Sequence, residues 1–380
     1  MANTITNLVP DLYESLDVIS REPAGFIAAV NTDNQVSRAA LGENVRSFVA
    51  PTTTLSNIAP AQYAPNDGDQ AIGNVAITIS KSMYAPIRWN GEDTKGVNFG
   101  PGYSNIRVKQ IVQGMRAFVN QIEIDIGAAA YKGASRASGT AGTTPFASNL
   151  SDPANVLKIL KDNGAPLTDM HLVIDTTSGA ALRQLTQLTK ANEAASDAML
   201  RQGVLLDVFG FAIRESAGVA NPVKGTGASY TSDTAGYAIG ATAITLITGT
   251  GTVLAGDVVT FAGDTNKYLV SVGVVAPGVV TLAAPGLKKA LAASATALTT
   301  GNSYTANMAF DRNAIVLATR MPALPVEGDM ADDAVTVTDP VSGLSFELRM
   351  YKQYRQVKYE LGMAWGVGVV KPAHIATLLG

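Results

Sequence analysis

Few residues in this sequence could carry out catalysis. The chain of 380 residues contains no cysteine and only two histidines, His171 and His374. A thiol nucleophile, a disulfide and a zinc–thiolate site are therefore excluded. A Ser-His-Asp centre or a histidine metal site would have to use one of the two histidines. His171 begins an apolar, strand-like run and His374 follows Pro372, so we interpret both as structural or surface residues.

Motifs for phosphate, nucleotide or metal binding are equally scarce. No GxxxxGK[ST] loop occurs, and the glycines at 249–251 lack the GxGxxG spacing and precede a strand-like run. The acidic pairs at 92–93 and 332–333 lie in loop-like sequence, where solvated turns are favoured over a divalent-ion site. A hydrolase or carbohydrate-binding enzyme would need two paired carboxylates that the sequence does not bring together. We therefore predict no enzyme, no cofactor and no metal site.

The balance of charged residues indicates which kinds of partner the chain could bind. Lys and Arg number 28 against 31 Asp and Glu, and charged residues make up only 16% of the chain. Without a basic excess, tight nucleic-acid binding is not expected. So little charge instead indicates a surface meant for protein partners. The N-terminus lacks the basic region of a signal peptide, and the uncharged runs at 235–256 and 268–287 are strand-like, so we expect a soluble protein with no membrane span.

The spacing of apolar residues predicts one long helix over residues 104–132. Ser104 can cap its N-terminus, and Gly133 closes it. At 1.5 Å per residue it would span roughly 40 Å, whereas a usual helix has about 11–12 residues. Its apolar stripe consists of Val108, Ile111, Val112, Met115, Phe118, Val119, Ile122 and Ile126.

The segments before this helix look extended. Residues 1–44 form an arm, with an amphipathic helix after Pro10 and a short element around Phe26. The sequence is compatible with an arm that packs on its own domain and with one that packs on a neighbouring subunit. Residues 45–98 predict a two-stranded excursion, with a loop of Pro, Gly, Asp and Asn between VRSFVAP and NVAITISKSMYAPIRW. Tyr84 and Trp89 are aromatic anchors for contacts with another subunit, with core packing as the alternative for Trp89.

The segments after the long helix first alternate between helices and strands and then become almost uncharged and strand-rich. Residues 134–149 are expected to be a loop, and 150–216 alternate helices (capped by Ser151, at 179–185 and at 195–203) with strands. The almost uncharged run at 217–305 predicts a small all-β barrel or sandwich inserted into this lobe. The tail, 334–371, predicts an antiparallel sheet that turns at 354–356. One face of this sheet would be exposed to solvent, and the sheet would pack on the long helix.

This order of parts resembles the major capsid protein of tailed double-stranded DNA phages. It is most similar to the coat-protein branch of short-tailed phages that carries an inserted β-barrel domain. The matching stretches are NMAFDRNAIVLATRMPALP at 307–325, DPVSGLSFELRMYKQY at 339–354 and LAGDVVTFAG at 254–263. The last is similar to the GDVFTIAG-type stretch of that inserted domain. The resemblance covers nearly the whole chain, and the order of the parts is its specific feature.

The resemblance implies an α+β tailed-phage major capsid fold with five parts. These would be an N-arm at 1–44, an E-loop at 45–99, a P-domain at 100–133 and 334–380 that contains the long spine helix, an A-domain at 134–220 and 306–333, and an inserted β domain at 221–305.

The resemblance also implies a function and partners. Copies of the chain would assemble as pentamers and hexamers into the icosahedral shell of a virion, in the host bacterial cytoplasm. A scaffolding protein and a portal would assist, and the packaged double-stranded DNA would be contacted weakly and without sequence specificity. The alternatives are the shell of a bacterial encapsulating compartment and another phage structural protein. Lys81 and Lys95 would fall in the E-loop, but we identify no matching catalytic acid and predict no lysine–asparagine crosslink.

The glycines at the base of the E-loop are predicted hinges. Gly96, Gly100 and Gly102 would let one sequence fit both pentamers and hexamers, because glycine tolerates backbone angles that other residues resist. Phe26, Tyr84 and Trp89 are the candidate inter-subunit contacts. Replacing Gly102 by valine should give aberrant shells or none, as judged by electron microscopy. Normal shells would contradict the hinge role.

Overall fold

The structure is a computed structural model that describes residues 23–49, 55, 57, 58, 60, 69, 73–97, 103–185, 207–275, 277–338 and 342–380. The predicted helices after Pro10 and at 195–203 lie outside these residues. The described helices are α1 Gly91–Val97, α2 Tyr103–Gly133, α3 Ser151–Asp162 and α4 Thr176–Gln184.

Strands make up most of the remaining regular structure. The first eleven are β1 Asn31–Ala39, β2 Asn44–Val49, β3 Gly73–Thr78, β4 Lys81–Asn90, β5 Arg136–Gly139, β6 Met170–Ile174, β7 Asp207–Val208, β8 Phe211–Glu215, β9 Ala228–Ser232, β10 Ala243–Thr250 and β11 Thr252–Val253. The others are β12 Val258–Phe261, β13 Lys267–Val272, β14 Val274–Val275, β15 Gly278–Leu282, β16 Ala297–Thr300, β17 Ala306–Asp311, β18 Ile315–Pro322, β19 Asp333–Thr338, β20 Ser345–Gln353, β21 Gln356–Val369 and β22 Ile375–Leu379.

The predicted long helix is confirmed as α2, and a six-stranded sheet covers one of its sides. The sheet has the order β1-β18-β21-β20-β19, and β4 also pairs with β21. Phe118 of the helix lies 6.0 Å from Phe346 and 5.9 Å from Trp365 between ring centroids. Asp125 of the helix accepts hydrogen bonds from Trp365 Nε1 at 2.9 Å and Lys81 Nζ at 2.7 Å. The tail therefore packs on the helix as predicted.

A twelve-stranded sheet lies against another side of α2. Its order is β12-β16-β9-β10-β15-β13-β5-β22-β17-β6-β8-β7. Successive side chains of a strand point to opposite faces, and β17 uses this alternation. Met308 and Phe310 belong to the core that contains α2, whereas Ala309 belongs to the core that contains α3 and α4. Strand β17 is therefore shared between two hydrophobic cores.

Half of the twelve-stranded sheet closes into a barrel. Strand β12 pairs with both β13 and β16, so the strands β12-β16-β9-β10-β15-β13 form a closed antiparallel ring. Tyr230, Phe261 and Tyr268 are the large side chains of its separate core. Strand β13 also pairs, at Lys267 and Tyr268, with β5, so the barrel and the lobe share one hydrogen-bonded sheet.

Local expectations fail where a distant partner decides the structure. The expected loop at 134–149 contains β5, whose backbone pairs with β22 and β13. Helix α3 begins at Ser151 with Leu150 as its N-cap and no side-chain cap, so the predicted cap at Ser151 is wrong. Helix α4 begins earlier than expected, because the carboxylate of Asp175 accepts from the backbone N–H groups of Thr177 and Ser178 at 3.1 Å.

Strand pairing joins segments that the resemblance assigns to different parts. Within the implied arm, β1 pairs with β18, and within the implied E-loop, β4 pairs with β21 along its whole length. Strand β18 belongs to the six-stranded sheet rather than with β17, and β22 leaves the tail for the twelve-stranded sheet. Strands that follow each other in the sequence, β17 and β18 or β21 and β22, thus lie in different sheets.

We expect the core under α2 to dominate stability. Phe118→Ala should lower the free energy of unfolding by about 3–5 kcal/mol, because it leaves a cavity between the helix and the sheet. Ile124→Ala on the same helix is the matched control, since Ile124 is 49% exposed, and it should change stability by about 0.5 kcal/mol or less. Denaturant unfolding of the unassembled subunit measures both. Equal losses in the two variants would contradict this view of the core.

Candidate assembly surface

The base of the extended excursion is fixed on the outer face of the six-stranded sheet. Strands β2 and β3 pair in antiparallel register, and Ile77 and Ile79 at their base are buried. Two glycines of β21 make room for them. A Cβ at Gly366 would lie 2.0 Å from the carbonyl oxygen of Thr78, and a Cβ at Gly368 would lie 2.6 Å from Ile77 Cγ1. Any larger residue would push the excursion off the sheet.

The predicted continuous strand over 74–89 breaks at this base. Ile79 donates its backbone N–H to Glu43 at 2.8 Å, and Ser80 donates to Trp365 at 3.1 Å. The chain then enters the sheet as β4. Beyond the base, the side chains of Leu55 and Ile58 are fully exposed. The excursion therefore presents apolar groups that its own chain does not cover.

The outer sheet face near β4 carries an exposed aromatic residue among charged side chains. Tyr84 of β4 is 57% exposed, and the ammonium of Lys358 lies 5.0 Å from its ring centroid. Lys358 also pairs with Glu360. Arg88, which is exposed, lies directly across from Lys358 in the β4–β21 register. This face therefore combines an aromatic ring with Arg88 and with the Lys358–Glu360 ion pair.

The prediction that one face of the tail sheet is exposed to solvent is wrong for the middle of β20. Glu347 is buried, because Arg38 from β1 covers it with a bond of 2.6 Å and Arg349 adds a second at 2.9 Å. Arg349 continues to Asp329 at 2.5 Å, and Asp329 also accepts from the Tyr351 hydroxyl at 2.7 Å. The alternation of β20 does not reveal this, since the covering arginine is about 300 residues away.

The same network holds an exposed loop in place. Asp329 lies between β18 and β19, where its side chain also accepts from the backbone N–H of Ala331 at 3.1 Å. On this loop Val326 and Met330 are almost fully exposed. The loop therefore offers apolar side chains from a position that is anchored to the sheet.

The structure separates the candidate contacts. Phe26 is fully buried and stacks on Phe310 at 6.4 Å between ring centroids. The core of its own chain covers the ring in this structure, and an inter-subunit contact at Phe26 stays a prediction. Trp89 is also buried and donates to Gln110 Oε1 at 2.7 Å, which matches the alternative of core packing. Tyr84 alone of the three aromatic residues is accessible.

The glycines and lysines of the predicted E-loop take different places. Gly96 lies in α1 near its end, and Gly100 and Gly102 lie outside the described residues, so their hinge role stays a prediction. Lys81 pairs with Asp125 at the base of the excursion, and Lys95 is exposed on α1. Sequence reasoning missed the fixed base altogether. Its available signal was the glycines of β21, since glycine inside a strand often marks a close backbone approach.

The two histidines lie near each other at one edge of the lobe, around Asp311. His171 is buried with Nε2 2.9 Å from Asp169 Oδ1, although neither ring nitrogen makes a well-aligned hydrogen bond. Burial lowers the pKa of both His171 and His374, and raises that of Asp311. The described residues contain no group of three or more His, Cys, Asp or Glu that could hold a metal. No described helix combines the length and apolar character that crossing a bilayer requires.

Comparison with known proteins gives matches in structure and none in sequence. No protein-family model and no curated protein matches the chain. The capsid structure of the cyanophage P-SCSP1u aligns with 95% of this chain and 89% of its own, at a TM-score of 0.51 and 12% identity. A structure from Mycobacterium phage Che8 covers 96% and 90% at a TM-score of 0.45 and 12% identity. A virus-like particle from Pyrococcus furiosus covers 97% and 96% at a TM-score of 0.43 and 9% identity.

The buried histidine predicts a pH dependence of stability. Because burial lowers the pKa of His171, the folded chain keeps it neutral while the unfolded chain binds a proton below about pH 6.5. The unfolded state then holds more protons, so the free energy of unfolding should fall as the pH decreases from about 7.5 to about 5.5. His171→Gln should flatten this slope in denaturant titrations at each pH. An identical slope in the variant would contradict the assignment to His171.

Proposed function

We propose that this chain, which has the fold of the cyanophage capsid, is a major capsid protein that self-assembles into an icosahedral shell. The observation that carries the proposal is the fold shared with that capsid over nearly the whole of both chains. The sequence independently resembles the same class of protein in the order of its parts. A structural rather than catalytic role is consistent with the scarcity of catalytic groups in the sequence.

The excursion supports self-assembly on physical grounds. An isolated two-stranded hairpin is marginally stable in water, and this one presents Leu55 and Ile58 fully exposed. Exposed apolar groups on an extended segment are stabilised when another surface covers them. In an assembly of identical copies, a surface of the neighbouring subunit can meet this requirement. Each contact can be modest, since a closed shell multiplies it.

The outer sheet face around Tyr84 is the surface we propose for the neighbour's excursion. The loop sequence of the excursion carries Asp67 and Asp69, whereas the face carries Arg88 and Lys358 beside the ring of Tyr84. Opposite charges would orient the approach, and the aromatic ring would provide apolar contact area. The anchored loop with Val326 and Met330 is a second contact surface in this proposal.

The finer scheme is also proposed. Residues 1–44 would be the N-arm, the hairpin of β2 and β3 the E-loop, and the barrel at 221–305 an inserted domain of the short-tailed phage coat type. Shells would consist of pentamers and hexamers, built with a scaffolding protein and a portal. A net charge of −3 suits a wall that holds packaged double-stranded DNA without gripping it.

Electron microscopy of the purified full-length protein tests the function. We expect closed shells, with a scaffolding protein supplied if the chain alone does not close. Particles that consistently retain an enzyme as cargo would favour an encapsulating compartment. A strictly monomeric protein at high concentration, with and without scaffold, would contradict a shell function of any kind.

A pair of tyrosine variants tests the proposed contact face within the same assay. Tyr84→Ala should reduce the yield of closed shells by about tenfold or more, since an interface aromatic contributes about 1–2 kcal/mol or more. Tyr354→Ala is the matched control, because Tyr354 is 87% exposed at the turn between β20 and β21. Equal yields from the two variants would contradict the role of Tyr84.

A further inference from the structure

Four side chains of alternating charge form a continuous row across three segments of the chain. Arg38, near the end of β1, binds the carboxylate of Glu347 on β20 at 2.6 Å. Arg349, two residues further along β20, binds the same carboxylate at 2.9 Å and binds Asp329 at 2.5 Å. Asp329 belongs to the loop between β18 and β19, residues 323–332, which we call the contact loop. The row of ion pairs therefore runs from β1 to this loop.

The middle of the row is shielded from water. The side chains of Glu347 and Arg349 are almost fully buried, whereas those of Arg38 and Asp329 are partly exposed. Charges interact more strongly in such an environment than in water, so a change in one pair affects the next. Without Arg38, the charge of Glu347 would be less compensated. Glu347 would then attract Arg349 more strongly and repel Asp329, so the loop would be held less firmly.

The row fixes the contact loop at two points. Nη1 of Arg38 donates to the carbonyl of Pro322, directly before the loop, at 2.7 Å. Within the loop, the carboxylate of Asp329 also accepts from the Tyr351 hydroxyl at 2.7 Å and from the backbone N–H of Ala331 at 3.1 Å. Arg38 thus holds the start of the loop directly and its middle through the row.

The other end of the row reaches the base of the excursion. Ala39, next to Arg38, is buried in the same small hydrophobic core as Ile79 of that base. The chain then turns. The backbone N–H of Gly42 donates to the carbonyl of Ile79 at 2.9 Å, and Ile79 donates to the carbonyl of Glu43 at 2.8 Å. Strand β2 of the excursion begins at the next residue, so the position of Arg38 is tied to the position of the excursion.

We propose that this row of ion pairs couples the base of the excursion to the contact loop, so that the subunit presents the two in a fixed arrangement. Arg38 is a positioning residue in this coupling. The excursion and the loop both carry exposed apolar side chains. A neighbouring copy that covers them binds more tightly when neither has to be ordered first. The coupling belongs to the single subunit, whereas its role in assembly rests on the proposed function.

Hydrogen–deuterium exchange of the unassembled full-length subunit tests the coupling. Arg38→Met removes the guanidinium group and keeps an apolar stem. The readout is the backbone N–H of Asp332, which donates to the carbonyl of Met350 at 2.8 Å at the end of the contact loop. In peptides that cover 328–332 we expect its protection to fall about tenfold, the equivalent of about 1.4 kcal/mol.

The reverse experiment measures the same coupling from the loop. Asp329→Asn removes the charge at that end of the row. Because coupling between two sites is reciprocal, the protection of the N–H groups of Gly42 and Ile79 should fall by about threefold. This variant remains informative if Arg38→Met does not fold, since Asp329 lies on a surface loop.

A control and a double variant separate the coupling from general loosening. Lys352→Gln is the matched control, because Lys352 also lies on β20 and pairs with the contact loop through Asp332, outside the row. It should leave the base of the excursion unchanged. The combined variant Arg38→Met/Asp329→Asn should lose less protection than the sum of the single losses, since both substitutions break one row.

Three results would overturn the coupling. They are full additivity in the combined variant, an unchanged excursion base in Asp329→Asn, and an equal loss at that base in Lys352→Gln. Since exchange is measured before assembly, a failure of the native protein to form shells would contradict the proposed function and not the coupling.

Discussion

The burial of one long helix between two sheets is the constraint on which the rest of this structure depends. An α-helix usually presents an apolar stripe to one partner. Helix α2 contacts the six-stranded sheet through Phe118, and its Ile122 and Ile126 belong to the same core as Met308 and Phe310 of the lobe. Two carboxylates of α2 also connect it to its surroundings. Asp125 accepts a hydrogen bond from Trp365 of the sheet, and Glu123 accepts one from the N-terminal segment. A shift of the helix would disturb both sheets at once.

The sequence predicts this helix well and its surroundings less well, for a physical reason. Helical spacing is a local property, so the bounds of α2 agree with the prediction within a residue at each end. The turn between β20 and β21 is equally local. Pairing partners are not. Strand β5 lies in a run of Ser, Gly, Thr and Ala that locally indicates a loop, and its backbone is satisfied only by β22 and β13.

The candidate surface shows the same division. The exposed position of Tyr84 follows from the alternation of β4, but the burial of Phe26 does not follow from its own segment. That segment is held by a carboxylate about 100 residues further along the chain. Glu347 likewise looks solvated by its place in β20 and is covered by Arg38. Long-range ion pairs and hydrogen bonds leave no periodic trace in a sequence, which is why they were missed.

The hydrogen bonds between β13 and β5 have a consequence for how the barrel can evolve or be engineered. Because strand β13 of the barrel pairs with β5 of the lobe, excising the barrel would leave one side of β5 unpaired. An unpaired strand edge can pair with other chains and promote aggregation. The hydroxyl of Tyr304, which donates to Gly256 of the barrel at 2.6 Å, would lose its acceptor at the same time. The barrel is thus hydrogen-bonded to the body of the molecule and would move with it as one unit.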